Sequence, residues 1–267
     1  MKIISGKLEQ SLTQPAPSMA CYLPAPQRQN GVGLIIFPGG GYGGLAEHEG
    51  KGYAEYFMNA GLSCFVVTYR LGSQGCRHPA MLEDALSAIY TIRTQAHELG
   101  VNPAKIGVIG SSAGGHLAAH ALVGWSRYDS SVSLRPDFGI LCYSVITMQG
   151  EFCHKGSRAN LLGPDPAATL TAEVSCERQV TPQTPPCFLW HTEEDAGVPV
   201  ENSMLFAAAL RKSGVPFELH VYGKGRHGLG LNAGFPWAEE CLRWLASISL
   251  DVGRSAAPEN MVLPRRK

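Results

Sequence analysis

The chain has 267 residues, 45% hydrophobic and 16% charged, enough apolar material for one large α/β domain. Twenty-two basic side chains balance twenty-two acidic ones, so no cationic face is expected and nucleic acid is excluded as a partner. No apolar run approaches the ~20 residues of a membrane span, and Met1–Lys7 shows no apolar leader core, so the chain reads as cytoplasmic.

Residues 1–30 are rich in Pro and Gln and carry short β-like pieces at 2–10 and 19–23, expected to form an antiparallel edge. Apolar strand runs follow at 33–37, 63–69, 105–109, 137–143, 187–191 and 216–222. Leu34-Ile35-Ile36-Phe37 has no polar alternation, the pattern of a strand covered on both faces. Helical patterns lie between them at 49–60, 79–99, 113–124 and 200–213, with a last one at 236–248. Met81, Leu82, Ala85, Leu86, Ala88, Ile89 and Ile92 form a packing stripe on the second of these. Alternation of this kind predicts a mostly parallel sheet with helices on both faces.

Residues 150–186 break the rhythm with five prolines and are expected to form a small cap over the strand ends. The domain is read as residues 1–250, with 251–267 a loose tail. The eight cysteines form no Cys-x-x-Cys pair and read as thiols of a reducing compartment, not as a disulfide framework or metal site.

Gly110-Ser111-Ser112-Ala113-Gly114 fits Gly-x-Ser-x-Gly, between a β-branched strand run and an Ala/Leu-rich helix. That order lifts one hydroxyl above a sheet at the start of a helix. A serine near neutral pH needs a base, and the base needs a carboxylate to orient it. On such a sheet the chain order is Ser, then acid, then His. Asp195 stands in Thr192-Glu193-Glu194-Asp195-Ala196-Gly197 after the strand at 187–191; Glu193 and Glu194 read as solvated loop charges. His227 stands in Gly225-Arg226-His227-Gly228 after the last strand. Other histidines lack that position: His116 and His120 fall on the helix after Ser112, His191 and His220 within strands, and His97 at a helix end.

Pro38-Gly39-Gly40-Gly41-Tyr42-Gly43-Gly44 follows the strand at 33–37. Glycines let backbone N–H groups come close to an oxyanion. Gly40, Gly41 and Ala113 are the expected donors. A phosphate loop is the competing reading. Gly39, Gly41 and Gly44 match Gly-x-Gly-x-x-Gly literally, but no acidic residue ends a strand near 69 and no Gly-Lys-Ser/Thr follows.

On these residues, with His48-Glu49-Gly50 and Tyr69-Arg70-Leu71, the chain resembles the α/β-hydrolase superfamily in its lipase/esterase branch, related to the hormone-sensitive lipase group. More narrowly it resembles acetyl-xylan-esterase-like carbohydrate esterases and sugar hydrolases. The family's His-Gly-Gly begins here with Pro38. The resemblance covers residues 30–245 and implies Ser112 as nucleophile, Asp195 as acid, His227 as base, and Tyr42, His48 and Glu49 as candidate pocket residues. It implies cleavage of small-molecule carboxylic esters, acetylated sugars among them, with no metal, cofactor or membrane. An arylformamidase-like or peptidase-type amide hydrolase is the alternative enzyme, and a silent binding protein of the same fold the alternative class. The oligomeric state, a homodimer included, is left open.

Overall fold

The computed structural model describes residues 17–248; the expected strand at 2–10 and the tail at 251–267 lie outside them. The elements run β1 (Ser18–Tyr22), β2 (Gly33–Phe37), α1 (Glu47–Asn59), β3 (Ser63–Thr68), α2 (Ala80–Thr94), β4 (Ile106–Ser111), α3 (Ser112–Gly124) and β5 (Phe138–Cys142). They continue with α4 (Lys155–Leu162), α5 (Ala168–Glu173), β6 (Cys187–Thr192), α6 (Glu201–Lys212), β7 (Phe217–Tyr222) and α7 (Trp237–Ser247). The strands form one sheet in the order β1-β3-β2-β4-β5-β6-β7. β1 runs antiparallel to β3 at one edge, with Ser18 opposite Thr68; every other pair is parallel.

Successive β2 side chains supply two cores, because strand side chains alternate faces. Ile35 and Phe37 pack with α2, α3 and α6 residues such as Met81, Leu117 and Phe206. Leu34 and Ile36 pack with Tyr53 and Phe57 of α1 and with Trp237 and Trp244 of α7. All five β2 residues are buried, which accounts for the missing polar alternation.

α2 ends at Thr94, five residues before the expected limit of 99. The hydroxyls of Thr91 and Thr94 bond back to the carbonyls of Ser87 and Tyr90, competing with continued helix. Gly100 at φ +65° and the Val101 N–H to Ala96 carbonyl bond then turn the chain toward β4. Residues 150–186 hold α4 and α5 and are tied to the domain. The Leu161 carbonyl accepts from the His78 N–H, the Cys176 N–H bonds the Ile146 carbonyl, and Ser175 Oγ accepts from the Met148 N–H.

The sheet order reverses at β2, whose neighbours are β3 and β4. Loops leaving β2 and β4 at their carboxyl ends therefore part to opposite sides and open a crevice, the usual ligand position in such sheets.

Candidate active site

Four loops meet at that crevice. β4 runs straight into α3, and Ser112 at the junction takes φ +53°, a left-handed conformation that costs a non-glycine residue about 1–3 kcal/mol. Packing holds it there. A Cβ on Gly114 would collide with the Phe37 carbonyl, and one on Gly110 with the Gly114 carbonyl, so only glycine lets the turn close against the end of β2.

His227, after β7, reaches back to this serine. Its Nε2 lies 2.8 Å from Ser112 Oγ and its Nδ1 2.7 Å from Asp195 Oδ2. Asp195 can only accept, so Nδ1 carries the proton and Nε2 presents its lone pair to the serine hydroxyl. The opposite carboxylate oxygen, Oδ1, accepts from the Gly197 and Val198 N–H groups, both at 2.9 Å. His191 Nε2 stands 2.9 Å from the Val198 carbonyl and 3.3 Å from Asp195 Oδ2. Burial works against ionisation of Asp195, but the hydrogen bonds from His191, His227 and the Val198 N–H outweigh it and hold the carboxyl well below its usual range. His191 looked from the sequence like an ordinary strand residue; here it is fully buried beside the acid.

The glycine loop after β2 is fixed peptide by peptide. The Pro38 carbonyl accepts from Tyr69 Oη at 2.6 Å, and the Gly39 N–H donates to Glu49 Oε2 at 2.8 Å. The Gly39 carbonyl accepts from the Ala46 N–H, the Gly40 carbonyl from those of Gly43 and Gly44, and the Tyr42 carbonyl from that of Gly72. The Gly41 carbonyl accepts from Asn160 Nδ2 at 2.9 Å. A planar trans peptide points its N–H opposite its carbonyl. Anchoring the Gly39 and Gly40 carbonyls therefore sets the direction of the Gly40 and Gly41 N–H groups, which bond no other group among the described residues. The loop crosses close to the serine: a Cβ on Gly39 would stand 3.0 Å from Ser112 Cβ. Ala113, in the first turn of α3, adds an N–H with no intrahelical acceptor.

The expected pocket residues divide. The His48 side chain is half exposed, and its Nε2 donates to the Gly228 carbonyl at 3.1 Å, at the rim beside His227. Tyr42 and Glu49 are buried. Tyr42 Oη donates to His116 Nδ1 at 2.7 Å. Burial pushes the His116 imidazole down to about 4, which leaves it neutral with Nε2–H bonded to the Val174 carbonyl. Glu49 turns both carboxylate oxygens inward, one to Gly39 and the other to Tyr143 Oη at 2.6 Å. The reason is its position in the first turn of α1, directly beneath the glycine loop.

Sequence reasoning missed Asn160 and Tyr143. Asn160 comes from the irregular segment and carried no signal. Tyr143 closes β5 at its carboxyl end, the one clue available, and takes φ +37° with its ring edge-on to His227 at 5.2 Å between centroids. No group of His, Cys, Asp and Glu among the described residues could hold a metal ion. No helix among them is long and apolar enough to cross a membrane.

A serine on a strand-to-helix turn, reached by a histidine and an aspartate from later strand ends of a mostly parallel sheet, defines an α/β-hydrolase. The BD-FAE family model matches residues 19–210, and the chain belongs to that family. It is 41% identical to the crystallised acetyl ester-xyloside bifunctional hydrolase of Caldicellulosiruptor lactoaceticus, with a TM-score of 0.85 over 93% of this chain and 95% of that one. It is 39% identical to endo-1,4-beta-xylanase B of Butyrivibrio fibrisolvens over 73% of this chain and 32% of the relative. It is 33% identical to an acetylxylan esterase of Xylanibacter ruminicola over 86% of this chain and 48% of the relative. The chain thus spans less than half the length of these two curated relatives.

Proposed function

We propose that the chain is a serine hydrolase of carboxylic esters that removes acetyl groups from sugars or short oligosaccharides. The observation that carries this reading is the continuous relay Asp195–His227–Ser112 at 2.7 and 2.8 Å beside the N–H groups of Gly40 and Gly41, which bond no other group among the described residues. Ser112 Oγ attacks the ester carbonyl while His227 Nε2 takes its proton. Negative charge gathers on the former carbonyl oxygen, where the N–H groups of Gly40, Gly41 and Ala113 receive it. His227 returns the proton to the leaving alcohol. Asp195, held ionised by its hydrogen bonds, stabilises the imidazolium and keeps the ring turned. Water then enters, loses a proton to His227 and attacks the acyl-serine; His227 returns that proton to Ser112 Oγ as the acid leaves. Two relatives, an acetylxylan esterase and an acetyl ester-xyloside bifunctional hydrolase, support acetyl as the acyl group and a xylose-based alcohol. Six cysteines buried as thiols suit a reducing cytoplasm, where the enzyme meets small imported oligosaccharides, not polymer.

Ser112→Ala tests the chemistry. Turnover of 4-nitrophenyl acetate should fall by up to about 10⁶-fold, as in serine hydrolases that lose the nucleophile, and labelling by a fluorophosphonate should vanish. An unchanged rate removes Ser112 from the mechanism. Acetate release from acetylated xylo-oligosaccharides tests the substrate; none, alongside cleavage of the aryl ester, would refute the sugar.

A further inference from the structure

The glycine loop and the histidine loop leave strands at different places in the sheet, yet one buried carboxylate joins them. Glu49 Oε2 accepts the Gly39 N–H at 2.8 Å, on the peptide preceding the two proposed oxyanion donors. Its Oε1 accepts from Tyr143 Oη at 2.6 Å. Tyr143 Oη in turn accepts the Gly230 N–H at 3.0 Å, three residues beyond His227. The Tyr143 ring meets the His227 ring edge-on, and its backbone holds a left-handed conformation at φ +37°, strain that the surrounding contacts must offset. Tyr53 Oη lies 2.9 Å from Ser111 Oγ and 3.4 Å from Tyr143 Oη, so the serine turn borders the same network. Resting on the esterase reading above, we propose that Glu49 and Tyr143 are positioning residues: they lock the oxyanion loop to the base loop, so that donors and general base hold one fixed spacing around the reacting carbonyl.

The chemistry of the pair fits this role better than substrate binding or simple core stability. Glu49 is 3% exposed, and its ion-pair neighbour among the described residues is no Lys or Arg but His48, whose Nε2 stands 3.8 Å from Oε1. A carboxylate placed there is costly unless backbone and hydroxyl donors satisfy it. Its donors are the Gly39 N–H of the glycine loop and the Tyr143 hydroxyl, which itself holds the Gly230 N–H after the histidine loop, together with the N-terminal end of the α1 dipole. Each oxygen accepts one hydrogen bond, from Gly39 and from Tyr143, so the group acts as a two-ended acceptor. A glutamine keeps the end facing Gly39, because its carbonyl oxygen still accepts there. Its amide can donate to the Tyr143 oxygen, whose own hydrogen turns toward Tyr53. An alanine releases both ends. A shifted loop spoils the stabilisation of developing charge more than it spoils ground-state binding, so the loss belongs in kcat.

The experiment compares wild type with Glu49→Ala, Glu49→Gln and Tyr143→Phe on 4-nitrophenyl acetate. Rates are normalised to sites titrated by a fluorophosphonate, which removes misfolded protein from the count. Each variant is also assayed for inhibition by an alkyl trifluoromethyl ketone, whose serine adduct carries the oxyanion. Glu49→Ala should lose about 10²-fold in kcat, as for an oxyanion donor displaced or lost, with KM within twofold. Its ketone affinity should weaken in step with kcat/KM. Glu49→Gln should recover most of that loss. Tyr143→Phe should lose about tenfold or more in kcat, since Gly230 and Glu49 both lose a partner. Wild-type kcat per titrated site in Glu49→Ala, equal losses in the alanine and glutamine variants, or an unaffected Tyr143→Phe would each overturn the proposal. Should Glu49→Ala fail to fold, the glutamine and phenylalanine variants still decide it. The esterase reading fails separately, on Ser112→Ala.

Discussion

Gly39→Ala adds one methyl carbon at the tightest point of the site. The new Cβ would stand 2.5 Å from Glu49 Oε2, 2.8 Å from the Ser111 carbonyl oxygen and 3.0 Å from Ser112 Cβ. Ordinary contact for such a carbon begins near 3.4 Å. Against the rigid Ser111 carbonyl the loop must therefore retreat by 3.4 − 2.8 = 0.6 Å. Retreat from the serine turn carries the Gly40 and Gly41 N–H groups with it. A misplacement approaching 1 Å at a reacting centre costs about 10²-fold, and full loss of one oxyanion donor about 10²–10³-fold. We expect kcat/KM for 4-nitrophenyl acetate to fall by about 10²-fold. Gly39 is not among the positive-φ glycines, so the penalty is purely steric. Gly44 supplies the control within the same loop. It too lies outside the positive-φ set, and a Cβ there would meet nothing within 4 Å. Gly44→Ala should stay within about twofold of wild type, as for a surface change that touches no special feature. A Gly39→Ala enzyme with more than half of wild-type kcat/KM, or equal losses in both variants, would refute the placement of the oxyanion loop against the serine.

Asn160→Ala frees the Gly41 carbonyl from its side-chain donor. One such hydrogen bond is worth about 1 kcal/mol, or roughly fivefold in kcat; steady-state kinetics showing a change in KM alone would contradict this. Asp195→Asn should lower turnover by about 10⁴-fold, because the ring tautomer is no longer enforced. The same substitution reads the depressed Asp195 carboxyl as a stability term. The folded state holds this carboxyl well below its usual range, while in the unfolded chain it titrates near ~3.9. Above that value its contribution is complete, and it is lost as pH falls toward the folded value. In urea melts the wild type should therefore lead Asp195→Asn near neutrality, and the lead should shrink below about pH 4. A gap independent of pH would show that the carboxylate is not preferentially ionised in the native state.

Much of the molecule was legible along the chain. Gly-x-Ser-x-Gly between a β-branched run and an Ala/Leu-rich run is the pattern of a tight strand-to-helix turn, and the doubly apolar β2 is the pattern of a strand covered on both faces of a parallel sheet. The order Ser112, Asp195, His227 followed from where strands ended. The antiparallel edge was expected from short β-like pieces in the Pro- and Gln-rich start, and the piece at 19–23 forms it as β1 beside β3. The early end of α2 was missed because two threonine hydroxyls compete with the helix locally, an effect that periodicity does not register.

The sequence by itself determined which residue types lie at the carboxyl ends of the strands, because glycine spacing and apolar runs fix local geometry through steric exclusion and burial. Only the tertiary structure decided how they meet. It turned Glu49 and Tyr42 inward, placed buried His191 against Asp195, and brought Asn160 across 119 positions to the Gly41 carbonyl. Those choices depend on which donor lies within about 3 Å of which acceptor, a condition set by the packing of separate elements and written in no single stretch of chain.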